Sequence, residues 1–514
     1  MTRLATHGLR RAARIRPRAL AVDDGSRRLT WEQAADRVAR VASVLQALGA
    51  QPGDRVAILS DNSATYFELY WAAPWGGLVL AHMNGRWAVP EVAAALDDCA
   101  PKLLLHDATH ASAARAAAAA SHCPVRLVDL DDPGAGGWNA MVETAAACLD
   151  AELAEQAPVA LFYTSGTTGQ PKGATLTAAN VFSAGLMIAS PFDLSPDTRA
   201  LCVMPMFHVG AGTFLIGLTA AAASIWIEPR FDAARTLDLI EGERLTHSVL
   251  VPTMISQLLD QPNAEQRDMR SMRRLIYGAA PMPDALIARA MQMMPDVGFN
   301  QGYSMTETTA TGTSLSPADH ADTRRRRSVG QALPGNDIEV RTPDGSPCTD
   351  GEVGEICIRG PGVMAGYWNR PAESAAVIHD GWLRTGDAGF LDADGYLHVV
   401  DRLKDMIISG GENVYSAEVE NVLHDHPAVA ECAVVGLPHP HWGEQVVAVV
   451  HMRQGIGIGA TDLEAHCRSR LGGYKVPRRF ILSPDPLPKG GSGKILKPEI
   501  RRNLRAAAPD GDAA

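Results

Sequence analysis

Apolar positions along LTWEQAADRVARVASVLQALGA recur at helical spacing, with Ala35, Val38, Val41, Leu45 and Leu48 on one face. Thr30 is placed to cap this helix, Gln33 to complete a capping box, and Gly49 to stop it. Gln51-Pro52-Gly53-Asp54 then turns the chain into an apolar run, Arg55 to Leu59, that reads as a buried strand. The alternation continues with a helix over 63–75, a strand over 78–81, a helix over 90–98 and a strand over 102–106. This is the rhythm of a layered α/β sheet. The basic opening, MTRLATHGLRRAARIRPRAL, reads as a first helix with Leu4, Leu9 and Ile15 inward. Its arginines and lack of acids also fit an organellar presequence, the second reading. Ala111–Ala120 is an alanine-rich helix or surface segment without evident chemistry.

The texture changes after about residue 335. Short, turn-punctuated strands are expected at Asp337–Arg341, Gly354–Arg359 and Gly395–Val400. From Ala417 a helix, the strands Glu431–Gly436 and Gln445–Met452, a helix over Asp462–Leu471 and the strand Arg479–Leu482 form a compact α+β unit. The fold class is therefore α/β: a large layered N-terminal domain (1–400) with a small β-rich subdomain, and a small α+β C-terminal domain (406–514); the boundary at 401–405, its role as a hinge and the mobility of the C-terminal domain rest on the family resemblance given below. A length of 514 residues requires more than one core, and no internal repeat is evident.

Hydrophobic residues make up 46% and charged residues 20%, a globular balance, and the net charge of −11 argues against nucleic acid as a partner. The eight cysteines form no C-x-x-C pair, so neither a zinc site nor a disulfide scaffold is indicated, and a reducing cytoplasm is expected. Ala200–Glu228 is the most apolar stretch, but Pro205, His208 and several glycines and threonines interrupt it; it reads as buried core and not as a membrane span.

The candidate chemistry begins at YTSGTTGQPKG, Tyr163–Gly173. Gly166 and Gly169 let backbone N–H groups approach oxygens closely. Thr164, Ser165, Thr167 and Thr168 add hydroxyl donors, and Lys172 adds a charge. A strand before the loop and a helix-like run from Leu176 make the setting of a phosphate site. It is not a Walker A loop, because Gly173 and not Ser or Thr follows the lysine.

The loop resembles that of the adenylate-forming enzymes, in particular the AMP-forming acyl-CoA synthetases of the bacterial ferulate, 4-coumarate and medium-chain fatty acyl type. Further motifs follow in the family's order over nearly the whole chain. PMFHVGAG (205–212) resembles the acyl-pocket gate, YGAAPMP (277–283) and NQGYSMTE (300–307) the adenine and acyl segments, and GWLRTGD (381–387) the ribose motif. DRLKDMIISGGENVYSAEVE (401–420) resembles the hinge and pantetheine channel, and LPKGGSGKILK (487–497) the loop with the catalytic lysine.

The resemblance implies ATP-dependent activation of a carboxylic acid to an acyl-adenylate, then transfer to coenzyme A, with Mg²⁺ as cofactor. It implies that Lys494 bridges the substrate carboxylate and the α-phosphate, that Glu307 beside Thr306 holds Mg²⁺, and that Asp387 with Arg402 binds ribose. Gly278, Ala279, Ala280, Asn300, Gln301, Gly302 and Tyr303 complete the nucleotide site, with Tyr303 stacking on adenine. His208, Val209, Gly210, Val251, Met254, Ser304 and Met305 line the acyl pocket, His208 as its gate. Lys404 is the hinge residue, and Ser409, Gly410, Gly411 and Glu412 line the thiol channel. Glycines there also suit a channel too narrow for side chains.

His247 reads first as core, and Arg324–Arg327 first as an exposed loop, with CoA phosphates as its second reading. The pocket segments are apolar. No Asp follows Phe207, which argues against an amino acid, and no arginine falls in them to hold a diacid, although Arg244 is near. Ser304 stands where many relatives have glycine and narrows one wall, which points to aromatic or short-to-medium acyl groups. A carrier-protein loader is the alternative acceptor reading; a luciferase-like oxygenase and a non-catalytic binder are the other rivals, the last disfavoured by the presence of Lys494 and Glu307. The expected partners are a small carboxylic acid with coenzyme A or a carrier protein, and a homodimer is the assembly to test.

Overall fold

A computed structural model describes residues 2–165, 171–410, 412–453, 458–490 and 495–507. Two large sheets dominate the first four hundred residues. One has nine strands, and six of them run parallel in the order Gly298–Tyr303, Arg274–Gly278, His247–Leu250, Arg199–Cys202, Ser224–Ile227 and Leu20–Asp23. The other has seven, with Pro158–Ser165, Val79–His82, Arg55–Leu59, Leu103–His106 and Arg126–Asp129 parallel.

Helices Trp31–Ala47, Ala64–Trp75, Ala178–Ala189 and Val209–Ala220 share one core with both sheets. Val209–Ala220 has no polar face, because nearly every residue from Val209 to Thr219 is buried. An apolar surface all round is what a helix enclosed on every side requires. The expected capping box is present: Thr30 accepts from the Gln33 amide and the Gln33 side chain accepts from the Thr30 amide.

A five-stranded antiparallel sheet (Asp337–Arg341, Gly354–Arg359, Trp382–Leu391, Ile378–His379 and Leu397–Arg402) forms the β-rich subdomain. The strands of residues 407–483 form a further five-stranded sheet covered by helices Ser416–His424, Ala460–Arg468 and Lys497–Ala507. Among the described residues, no helix is long and apolar enough to cross a membrane.

Three expectations are corrected. Residues Pro171–Thr177 form a strand antiparallel to Pro158–Ser165, and the helix starts only at Ala178. Lys172 and Gly173 read as loop and Leu176 as helix, whereas the segment is an inner strand paired with Pro158–Ser165 on one side and Gly366–Tyr367 on the other. Ile15 is exposed, because the first helix turns mainly Leu9 and Ala12 inward. The closing helix Lys497–Ala507 was not anticipated, its apolar positions being only Ile500 and Leu504 between charges.

Two buried histidines carry a pH dependence. His82 stacks on Phe162 at 4.0 Å and lies 3.0 Å from the Tyr66 hydroxyl, and burial pushes its pKa down to about 3. His247 is fully buried between the Thr246 hydroxyl (2.7 Å) and the Phe192 carbonyl (3.1 Å), and burial lowers it to about 4. His247 is thus a core residue, in line with its first reading. Both groups take up protons only on unfolding, so their stabilisation is present above the ordinary value of 6.5 and is lost as pH falls toward 4. The thermal midpoint should drop between these pH values, and a His82→Gln/His247→Gln double variant should show a flatter profile. An equally steep profile in the double variant would assign the loss to other groups.

Candidate active site

The predicted site residues gather where parallel strands end. His247–Leu250 leads into Val251, Arg274–Gly278 into Ala279–Ala280, Gly298–Tyr303 into Ser304–Glu307, and Arg199–Cys202 into the segment ending at His208. Loops at the carboxyl ends of strands in open α/β sheets are where ligands bind. Gly278 is required here by packing, since a Cβ on it would lie 2.3 Å from the Gly302 carbonyl oxygen. A Cβ on Gly302, by contrast, would meet nothing within 4 Å, so that backbone faces open space as a planar ligand would need.

Val251, Met254 and Ala279 form one apolar cluster with Met204, Ala211 and Val249. Ala211 and Val249 fall in the segments expected to line the acyl pocket, 208–213 and 247–254, whereas Met204 precedes the quoted motif and was missed. His208 starts the buried helix, and its Nδ1 accepts from the Gly210 amide at 3.2 Å. Val209 is 3% exposed and packs into the core shared by both sheets. Ser304 and Met305 are half-buried between Tyr303 and the short turn Thr306–Thr308.

The stem of the phosphate loop is a hairpin in which Thr164 faces Lys172 and Ser165 faces Pro171. Gly166, Thr167, Thr168 and Gly169 lie outside the described residues. Lys172 forms an ion pair with Glu373 and sits 5.4 Å from the Tyr367 ring centroid. The Tyr367 hydroxyl donates to Glu307 Oε1 at 2.8 Å. Strand Gly366–Tyr367 pairs with the stem strand, and the Trp368 amide donates to the Gly173 carbonyl at 2.8 Å. One strap, residues 364–374, therefore joins the loop lysine to the carboxylate of Glu307. Neither Tyr367 nor Glu373 falls in a motif identified from the sequence.

Glu307 is 7% exposed, and the turn that carries it is fixed from both sides: the Thr213 hydroxyl donates to the Thr309 carbonyl and the Thr309 hydroxyl to the Gly362 carbonyl, each at 2.7 Å. A single fixed carboxylate beside a loop for phosphates fits Mg²⁺, which uses one or two protein carboxylates and takes its other oxygens from phosphates and water. Among the described residues, the one cluster of three His, Cys, Asp or Glu groups close enough to share a metal ion is Asp61, Asp107 and His110, and Glu307 is not part of it.

Asp387 is buried, and its two carboxylate oxygens are engaged separately: Arg402 Nε lies 2.7 Å from Oδ1, and the Tyr303 hydroxyl donates to Oδ2 at 2.7 Å. Register pairs Asp387 with Arg402 across the strands, so the sheet itself presents both. Burial holds the Tyr303 phenol well above its usual pKa, keeping it a donor. Asn300 turns away from the site: it is 1% exposed and donates to the Pro191 carbonyl at 3.2 Å, in the core. Gln301 accepts from the Tyr277 hydroxyl at 3.3 Å, and that hydroxyl also meets His320 Nε2 at 2.9 Å. Arg325–Arg327 form an exposed turn whose arginines pair with Asp319, Asp322 and Asp284.

Lys404 lies in the turn after Arg402, where the Asp405 amide donates to the Arg402 carbonyl. Ser409 and Glu412 face each other across a tight hairpin. Gly410 has φ +65°, and a Cβ on it would lie 3.0 Å from the Trp442 ring. Turn geometry thus accounts for this glycine, a reason different from the channel argument. Gly411 and Lys494 lie outside the described residues, but the base of the Lys494 loop is closed by bridging between Lys489 and Ile495.

The hairpin strand of Lys172, the turn of Glu307 and the strand of Asp387 come from three different sheets and are joined through the Tyr367 and Tyr303 hydroxyls, an arrangement suited to a nucleotide-dependent, acid-activating enzyme. The chain belongs to the AMP-binding enzyme family, whose model matches residues 9–368, with the family's C-terminal domain over 418–494. It is 41% identical over 495 residues to a feruloyl-CoA synthase of an Amycolatopsis species, covering 96% of this chain and 98% of the relative. It is 37% identical over 504 residues to the long-chain-fatty-acid–CoA ligase FadD13 of Mycobacterium tuberculosis, 98% of each being covered. MatB from Rhodopseudomonas palustris, 30% identical, superposes over 98% of this chain and 99% of its own with a TM-score of 0.88 in its ATP-bound form and 0.78 in its apo form.

Proposed function

We propose that this acyl-CoA synthetase activates aromatic or short-to-medium-chain carboxylic acids. The reaction class follows from the family: a carboxylate oxygen attacks the α-phosphorus of ATP, the bond to the β-phosphate oxygen breaks, and acyl-adenylate and pyrophosphate result. A CoA thiolate then attacks the acyl carbon and AMP leaves. Two anions meet in the first step, so fixed cations and donors must offset their repulsion.

The observation that carries the reading is the run of contacts from Lys172 through Tyr367 to Glu307, and from Tyr303 to Asp387 and Arg402, beside an apolar cluster. In this reading Lys172 and the loop hold phosphates, Asp387 accepts from the ribose hydroxyls, and Glu307 would hold Mg²⁺, whose charge neutralises phosphate oxygens when bound. Lys494 supplies the mobile cation, and Lys404 is the pivot. The higher TM-score toward the ATP-bound form of MatB than toward its apo form, at the same identity and coverage, supports a nucleotide-ready arrangement of the two ends of this chain.

Acid choice rests on the apolar cluster of Val251, Met254, Met204 and Ala279 and on Ser304. A pyrophosphate-release screen across aryl, short, medium and long acids, with and without CoA, should rank aryl or medium acids first. Ser304→Gly should raise turnover of longer chains. A wild type that prefers a C16 acid to every aryl acid sinks this specificity. Turnover with a carrier protein and none with free CoA would replace the acceptor.

A further inference from the structure

The loop of Lys494 is followed directly by helix Lys497–Ala507, and its first residue enters a buried network. Lys497 Nζ lies 2.8 Å from Glu420 Oε1 and donates to the Ser416 hydroxyl oxygen at 2.6 Å. That hydroxyl donates in turn to Asp401 Oδ2 at 2.6 Å, and the amides of Ser416 and Ala417 point at the same oxygen. Asp401 is therefore both the N-terminal cap of helix Ser416–His424 and the end of a chain of bonds from Lys497. Ser416 is fully buried and Asp401 7% exposed. Burial acts against the Lys497 charge, but Glu420 and Asp401 outweigh it and hold its pKa above the usual lysine value.

Asp401 does not belong to the same body as its partners. It is paired with Ala388 in the antiparallel sheet of the β-rich subdomain, before Lys404. Ser416, Glu420 and Lys497 all follow Lys404 and pack with the last sheet, where Glu420 also accepts from the Val434 amide at 2.7 Å. The next ion pair along the helix, Arg501 to Asp405 at 3.3 Å, lies wholly beyond Lys404. A rotation at Lys404 would keep the Arg501 pair and separate Asp401 from Ser416.

We infer that Asp401, Ser416 and Lys497 form a latch across the hinge, which makes Lys497 a positioning residue for the loop of Lys494 and stabilises the orientation described here over the other. The inference rests on the proposed pivot at Lys404. Uncoupling a buried charged bond of this kind shifts a two-state balance, and a shift of about tenfold is expected.

The test measures orientation directly, by pulsed EPR between spin labels at Glu143→Cys and Ala465→Cys, both exposed sites, with Cys123, Cys148 and Cys348 replaced by serine. Wild type and Lys497→Arg should share one main distance, whereas Lys497→Met should populate a second about tenfold more. The ratio of the two half-reactions should move in step, with adenylation and thiol transfer shifting in opposite directions, and Lys497→Arg should restore it. Ser416→Ala removes the hydroxyl that joins Lys497 to Asp401 while keeping the Lys497–Glu420 pair, and should act in the same sense if Lys497→Met does not fold. An unchanged distance distribution in a folded Ser416→Ala or Lys497→Met variant overturns the latch, as does a parallel loss in both half-reactions. A wild-type distance that ignores ATP, acid and CoA alike, while the variants still shift, would instead reject alternation as part of catalysis and leave the latch standing.

Discussion

Lys494→Ala is expected to lose adenylate formation by about 10²–10³-fold while still converting a synthetic acyl-adenylate and CoA to thioester. The lysine is proposed to act only where carboxylate and α-phosphate meet, so its removal takes a transition-state contact from one step. The structure gives this a mechanical basis: the loop is pinned at its base by Lys489 and Ile495 and continues into a helix held by two ion pairs. Single-turnover pyrophosphate release and single-turnover thioester formation read the two steps separately. Equal slowing of both would mean that Lys494 supports the fold or serves both reactions, and the proposed division of labour would be wrong.

Asp387→Asn is expected to weaken ATP use by about 10–100-fold, the usual scale for hydrogen bonds to a charged group. The stronger test is discrimination. Wild type should prefer ATP to 2′-deoxy-ATP and to 3′-deoxy-ATP by comparable factors, because one carboxylate accepts from both hydroxyls in the proposed pose. In Asp387→Asn those ratios should collapse toward one, with the acid KM little changed. Tyr303 and Arg402 engage one oxygen each and hold the carboxylate in place. A variant that keeps full discrimination would place the ribose elsewhere.

Helices and strands of the first hundred residues were legible because each carries its own periodicity and its own stop, as at Thr30, Gln33 and Gly49. Strand Pro171–Thr177 was not, because its proline, lysine, glycine and two threonines have the composition of a loop and its strand partners are set by tertiary pairing. The site divides in the same way. Asp387, Glu307 and Tyr303 lie in compact motifs, whereas Tyr367, Glu373 and Met204 come together with them only through tertiary packing, which no local pattern encodes. Asn300 illustrates the converse error: it sits inside a motif, but strand alternation turns it to the opposite face from Gln301 and Tyr303.

If Lys172 takes a phosphate as proposed, its ion pair with Glu373 makes that capture an exchange and not a simple attraction. Glu373 is a counter-ion that the protein carries with it, so an arriving phosphate gains the lysine only by releasing a carboxylate to water. The net change in charge pairing is then small, and nucleotide affinity is insulated from ionic strength in a way a bare cationic loop would not be. In the proposed pose the same built-in competitor would discriminate by valence: inorganic phosphate, a single weak anion, has little to offer in the trade, whereas a nucleoside triphosphate whose phosphates would also meet a metal held at Glu307 and whose ribose would meet Asp387 would win it.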